Sequence, residues 1–226
     1  MSFHIGLLVF PDVQQLDLTG PYEVFASAPD TMVHLLWKDL WPIRSATGLE
    51  LMPTTTLDTC PPLDMLMVPG GRGINALMRD EPVIQFLRNQ ASHIRYLTAV
   101  CTGALVLGAA GLLIGRKATT HWSSHDLLER LGARPVKRRV VRDGNLITAG
   151  GVTAGIDFAI SIVAELFGDT TAQEVQLSLE YSPTPPFRSG DPDTAEKEVV
   201  TAVRSRMASI RAEREAIING LPVRDT

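Results

Sequence analysis

One sulfur and one carboxyl carry the chemistry this sequence suggests: Cys101, within YLTAVCTGALVLGAAGLL, and Asp17, within PDVQQLDLTGPYEV. A cysteine acts as a nucleophile through its thiolate, so its surroundings decide whether it reacts. Tyr96–Val100 is apolar and β-favouring, as a strand buried on both faces should be. From Thr102 the composition turns to Ala, Leu and Gly, which suits a short, tightly packed helix. Cys101 stands at the change-over, where a strand-to-helix turn lifts a side chain out of the sheet top as a nucleophile elbow does. Gly103 lets neighbouring backbone pass close by, and the first free N–H groups of the helix favour a sulfur anion by about 0.3–1 kcal/mol. The competing reading is a small buried hydrophobe, the common fate of a free cysteine. A core cysteine has no need of an elbow, which weighs toward reactivity.

Asp17 precedes Thr-Gly-Pro, where an aspartate ordinarily serves a turn or a cap. Set beside a sulfur anion and buried, the same carboxyl would be a proton donor near neutrality. The PGGRG turn at residues 69–73 lacks the Walker Lys-Ser/Thr and the GxGxxG spacing, which argues against a nucleotide site. Opposite Cys101, the N–H groups of Gly71 and Thr102 form a candidate anion-stabilising pair. Gly150 and Gly151 permit close backbone approach from another side. A cysteine nucleophile often works with a histidine base, yet Thr102, not histidine, adjoins Cys101. His121 therefore stands between two readings, a structural ring held by a hydrogen bond and a catalytic aid.

The elements that must position these groups alternate between strand and helix. Phe3–Phe10 reads as a central strand, and Pro21, after Gly20, suits a helix's first position, leaving Asp17 in the connection before it. Val33–Trp37 reads as a strand, residues 43–57 as a hairpin or excursion around Gly48, and residues 64–69 as a strand entering the glycine turn. Helical segments are expected near 74–79 and 82–91. HWSSHDLLERLG reads as one helix closed by Gly132, and Val140–Arg142 with Leu146–Thr148 as a hairpin through Asp143-Gly144. Thr153 is a candidate cap for a helix ending near Phe167, followed by a helix over 170–179. A proline-rich connection near 183–192 leads to a mixed-charge helix over about 194–219. Such alternation implies a parallel sheet covered on both faces, with ligands at the carboxyl ends of the strands. Asp17, Gly70–Gly71, Cys101 and Gly150–Gly151 all follow predicted strands and should share one mouth.

Composition narrows the class. With 226 residues the chain has room for one α/β domain, and its net charge of −4 argues against general nucleic-acid binding. The basic cluster Arg134, Lys137, Arg138, Arg139 and Arg142 reads as a solvated hairpin edge. Two cysteines give no disulfide framework, which fits a reducing cytoplasm, and no zinc-ligand spacing occurs. Tyr96–Gly115 is uncharged over 20 positions, but four glycines and a strand-like start make it core, not a membrane span. The first residues read as a strand and not a leader.

LLVFPDVQQLDLTGPYEV, VPGG, VCTGALVLGAAGLL, ATTHW and GGVTAGIDFA, in this order, resemble the PfpI-type branch of the class I glutamine-amidotransferase-like superfamily, through LEYSPTPPF. The resemblance implies a flavodoxin-like three-layer sandwich with a mostly parallel central sheet. Within the branch it points to the isocyanide-hydrating members: cofactor-free, usually homodimeric enzymes that convert an isocyanide to an N-substituted formamide. Matched residue by residue, Cys101 is the nucleophile, Asp17 the essential acid, and Thr102 the residue beside the nucleophile. Many relatives place a histidine after the cysteine and a glutamate near the first strand; Thr102 and Asp17 here argue against protease or deglycase activity. Relatives with similar proline blocks are transcription regulators carrying a further domain, for which the residues up to Thr226 leave no room. The expectations are thus a small isocyanide as partner and neither nucleic acid nor membrane. The alternatives are a cysteine hydrolase or glyoxalase-like enzyme aided by His121, and a non-enzymatic thiol sensor.

Overall fold

The apolar runs become strands in the computed structural model, which describes residues 2–222. The chain opens with β1 (Phe3–Leu8), α1 (Gln15–Ala26) and β2 (Thr31–Trp37), then β3 (Ile43–Arg44), β4 (Glu50–Leu51) and β5 (Thr55–Thr56). Next come β6 (Met65–Val68), α2 (Ile74–Leu77), α3 (Glu81–Ala91), β7 (Tyr96–Val100) and α4 (Gly103–Ala109). After β8 (Lys117–Ala118) and α5 (Leu127–Arg130) follow β9 (Arg134–Pro135), β10 (Val140–Asp143) and β11 (Leu146–Ala149). Three helices end the chain: α6 (Ala154–Phe167), α7 (Asp169–Ser178) and α8 (Lys197–Gly220).

Seven strands form one sheet in the order β10-β11-β7-β6-β1-β2-β5. All of its pairings are parallel except β10 with β11, which the Gly144 turn joins as a hairpin. β6, β7 and β11 are buried along their whole length, so they are largely apolar with no polar face, the exceptions being the buried Thr98 and Thr148. The helices divide into two packed groups, α1 with α6 and α7, and α4 with α2, α3 and α5, over which α8 lies against α2 and α5. Sheet and two helical layers make the flavodoxin-like sandwich. From β1 the chain goes first to β2 on one side and later to β6 on the other. That reversal opens a crevice at the carboxyl ends of the strands, bordered by the segments after β1, β6 and β7.

Three local expectations are corrected. α1 begins at Gln15, so Asp17 lies in its first turn and Pro21 inside the helix. Asp12 takes a positive φ and the Gln14 N–H donates to the Gly70 carbonyl (2.8 Å), which turns the chain early enough to start the helix there. Tertiary packing then overrides the local signal, because the Pro21 ring fills the space a side chain at Gly155 of α6 would occupy. Residues 121–132 are not one helix. His121 caps a 3₁₀ turn over Trp122–Ser124, and the Ser123 carbonyl and Ser124 hydroxyl are drawn to arginines of α8. Thr153 makes no cap bond; its hydroxyl accepts from Arg139 instead (3.2 Å).

Candidate active site

Cys101 follows β7 with φ of +56°, a left-handed conformation that costs a non-glycine residue about 1–2 kcal/mol. The surrounding bonds hold it there. Its N–H donates to the Ala149 carbonyl of β11 (2.9 Å), and its own carbonyl accepts from the Thr120 hydroxyl (2.7 Å). The helix after it starts hard against β6, since a Cβ on Gly103 would lie 2.0 Å from the Val68 carbonyl oxygen. The elbow is thus clamped by β6, β11 and the segment after β8, and Cys101 keeps only 5% of its surface exposed.

Asp17 reaches this elbow from α1 and is wholly buried. Its Oδ2 accepts from the Gly70 N–H (2.9 Å), and its Oδ1 has no well-formed partner among the described residues. Burial pushes its pKa from 3.8 up to about 7, against the pull of the Gly70 N–H and of the Cys101 thiol. The two groups distant in sequence therefore meet. A side chain at Gly70 would bring its Cβ to 2.6 Å from both the N and Oγ1 of Thr102 and 2.8 Å from Asp17 Oδ2. Only glycine lets the loop after β6 lie against both Asp17 and Thr102.

The sulfur's electrostatics are mixed. The Thr102 N–H lowers its pKa, as expected of an elbow, and so does the Arg214 guanidinium. Burial outweighs them, and with the neighbouring Asp17 carboxylate it pushes the thiol up. Above about pH 7 the pair holds a single proton, and burial together with the Asp17 carboxylate favours the sulfur as its carrier.

The other expected residues take different places. The Gly71 N–H does not face the sulfur; it donates to Thr102 Oγ1 (3.1 Å), so the hydroxyl of Thr102 fastens the glycine turn. The expected Gly71–Thr102 anion pair is thereby corrected to a single donor, the Thr102 N–H. Gly150 follows β11 beside the elbow, with its N–H given to the Arg139 carbonyl (2.9 Å). A Cβ there would meet nothing nearer than 3.5 Å and one at Gly151 nothing within 4 Å, so close approach is not what these glycines serve. His121 is held by Ser123, its Nδ1 2.8 Å from Oγ, and burial with the nearby Arg214 lowers its pKa to about 4, leaving it neutral.

One buried cation comes from the helix that the sequence marks only as mixed in charge. Arg214 of α8 is 3% exposed, donating from Nε to Asn75 Oδ1 (3.1 Å) and from Nη1 to Ser124 Oγ (2.9 Å). Its signal was present: it stands four residues after Ile210 and three and four before Ile217 and Ile218, where the helical period demands an apolar residue. The 420 Å³ cleft between α8 and residues 122–126 shares neither Cys101 nor Asp17.

Residues 4–165 match the DJ-1/PfpI family. A protein of Pseudomonas putida named "Isonitrile hydratase" is 64% identical over 208 residues, covering 92% of this chain and 91% of its own. The crystal structure of a ThiJ/PfpI family protein from Pseudomonas syringae superposes with a TM-score of 0.94 at 43% identity, over 96% of this chain and 91% of that one. Drosophila melanogaster DJ-1beta gives a TM-score of 0.74 at 26% identity, over 81% of this chain and all of the other.

Proposed function

Since the chain belongs to the DJ-1/PfpI family, we propose that its buried acid–thiol pair adds water across the terminal carbon of an isocyanide, releasing an N-substituted formamide. The relative from Pseudomonas putida bearing that activity in its name supports the reading, and the meeting of Asp17 with Cys101 carries it.

The reactive form is the singly protonated pair with its proton on Asp17 and its charge on sulfur. The thiolate attacks the isocyanide carbon, and Asp17 gives its proton to that carbon, leaving a thioimidate, R–N=CH–S–Cys101. Asp17, now a carboxylate, takes a proton from water as it attacks the same carbon, and passes it to the nitrogen. The tetrahedral adduct expels sulfur and the formamide leaves. Sulfur and carboxyl recover their shared proton, so the sum is isocyanide plus water to formamide. The Thr102 N–H stabilises the charge on the sulfur at departure, and the Thr102 hydroxyl keeps the Gly70–Gly71 turn, and with it Asp17, in place.

With its pKa lowered to about 4 and its Nδ1 tied to Ser123, His121 is a weak base, which disfavours the glyoxalase-like alternative. The reading extends to one catalytic unit spanning residues 1–226, acting as a cytoplasmic homodimer; light scattering of the purified protein tests the dimer. Among the described residues no helix is long and apolar enough to cross a membrane. Incubation with an aryl isocyanide should yield the formamide, whereas turnover of methylglyoxal without formamide formation would replace this reading by the glyoxalase one.

A further inference from the structure

A buried arginine without a carboxylate partner is costly, because several kcal/mol of lost hydration goes uncompensated by an opposite charge. Arg214 is in that position: among the described residues no ion pair includes it, and both of its hydrogen-bond acceptors are neutral. Those acceptors are themselves fixed. The Asn75 amide donates to Glu213 Oε2 (3.0 Å) and to the Ile210 carbonyl (3.4 Å), which turns its oxygen toward Arg214. Ser124, fully buried, lies four residues after Thr120, whose hydroxyl bonds the Cys101 carbonyl. Asn75 lies on α2, which continues the turn that holds Asp17 and Thr102. The guanidinium is therefore tethered to two segments that continue from the elbow's surroundings, the one after Thr120 and the one after the glycine turn, and no ion pair offsets its charge. An aliphatic residue would fill this helical position more cheaply.

We propose that Arg214 is a positioning residue of the acid–thiol pair, a fixed and uncancelled cation on α8 whose field draws the negative charge of the pair onto the Cys101 sulfur. The inference rests on the reading of Cys101 as nucleophile. It supplies what the elbow lacks: the proton must sit on Asp17 for the sulfur to attack, while burial and the carboxylate both favour the thiol. Arg214 acts the other way, lowering the pKa of Cys101. Burial lowers the pKa of Arg214 itself, and charge on the Cys101 sulfur opposes that lowering more than Glu213 does, while Arg211 adds to it. The other charged or titratable groups around the pair do not duplicate it. Asp17 from α1 is the opposing charge, and His121 from the segment before α5 is held neutral by burial and by Arg214 itself. On α8, Arg211 is paired with Asp126 and Glu215, and Glu213 is engaged by Asn75.

The test reads thiol reactivity and needs no isocyanide, so its failure is distinct from failure of the hydratase reading. Iodoacetamide alkylation of Cys101 is followed by mass against pH for the wild type, Arg214→Lys and Arg214→Gln. Circular dichroism and urea unfolding check that each is folded. The expected result is an alkylation rate about ten-fold lower at pH 7 in Arg214→Gln, a profile midpoint moved to higher pH, and recovery of most of the loss in Arg214→Lys. A folded Arg214→Gln variant with the wild-type profile overturns the proposal. Should Arg214→Gln fail to fold, the double variant Asn75→Asp/Glu213→Gln decides. It keeps Arg214 but hands it a carboxylate, and must shift the profile in the same direction; an unchanged profile overturns the proposal equally.

Discussion

Asp17→Asn should make the protein more stable, and increasingly so as pH rises. Folding lifts the carboxyl from 3.8 to about 7 because it is buried with one N–H donor and an unsatisfied oxygen. A raised carboxyl pKa means that the folded state holds the proton more tightly than the unfolded chain does. Below pH 3.8 both states are protonated and the group costs nothing. Through the window from 3.8 to about 7 the unfolded chain releases its proton first, and the penalty grows until it is complete above about pH 7. At 1.36 kcal/mol per unit this amounts to about 4 kcal/mol at pH 8, and to about 2 kcal/mol at pH 5. Asparagine keeps an oxygen for the Gly70 N–H and is never charged, so it escapes the penalty at both values. Urea unfolding of the two proteins at pH 5 and pH 8 measures the gap. A gap that is the same at both pH values, or a variant less stable than wild type at pH 8, refutes the reasoning.

Further outcomes are expected at the same site. Turnover should rise with pH through about 7 as the pair loses its first proton, a limb that a pH profile of kcat/KM displays and that Asp17→Asn abolishes along with formamide production. Thr102→Val removes the acceptor of the Gly71 N–H and should cost about 1–3 kcal/mol in urea unfolding, with a fall in turnover as the glycine turn loosens. Gly70→Ala must push apart Asp17 and Thr102; a loss of about 1–3 kcal/mol and at least about ten-fold in kcat is expected, measured by unfolding and steady-state assay. Cys101→Ala should keep the circular dichroism spectrum and melting cooperativity of the wild type while producing no formamide.

The sequence made legible whatever depended on runs of one physical kind. β1, β6 and β7 announced themselves by largely apolar stretches, the Asp143-Gly144 turn marked β10 and β11, and the switch from β-favouring residues to Ala, Leu and Gly located the elbow at Cys101. The parallel sheet then placed the ends of β1, β6 and β7 along one crevice, which brought Asp17 within the reach of Cys101. What stayed hidden was set by partners far along the chain. Pro21 sits inside α1 because Gly155 receives its ring, a contact no local pattern records. The stretch after Thr120 breaks into short turns because arginines of α8 draw its hydroxyl and carbonyl groups, nearly a hundred residues on by the numbering. The destination of the Gly71 N–H depended on where a hydroxyl 31 positions later would point. Arg214 was visible as a charge in an apolar stripe, but only the fold shows that it meets Asn75 of α2 and Ser124 before α5.

The central claim is that sulfur 101 and carboxyl 17 service one carbon through a covalent intermediate. Mixing the wild-type enzyme with an aryl isocyanide, quenching in acid within a single turnover and mapping the peptides by mass spectrometry tests it directly. The account predicts a transient addition of the whole isocyanide mass on the peptide bearing Cys101, decaying as formamide appears. Formamide formed at full rate with no such addition at any time would contradict it.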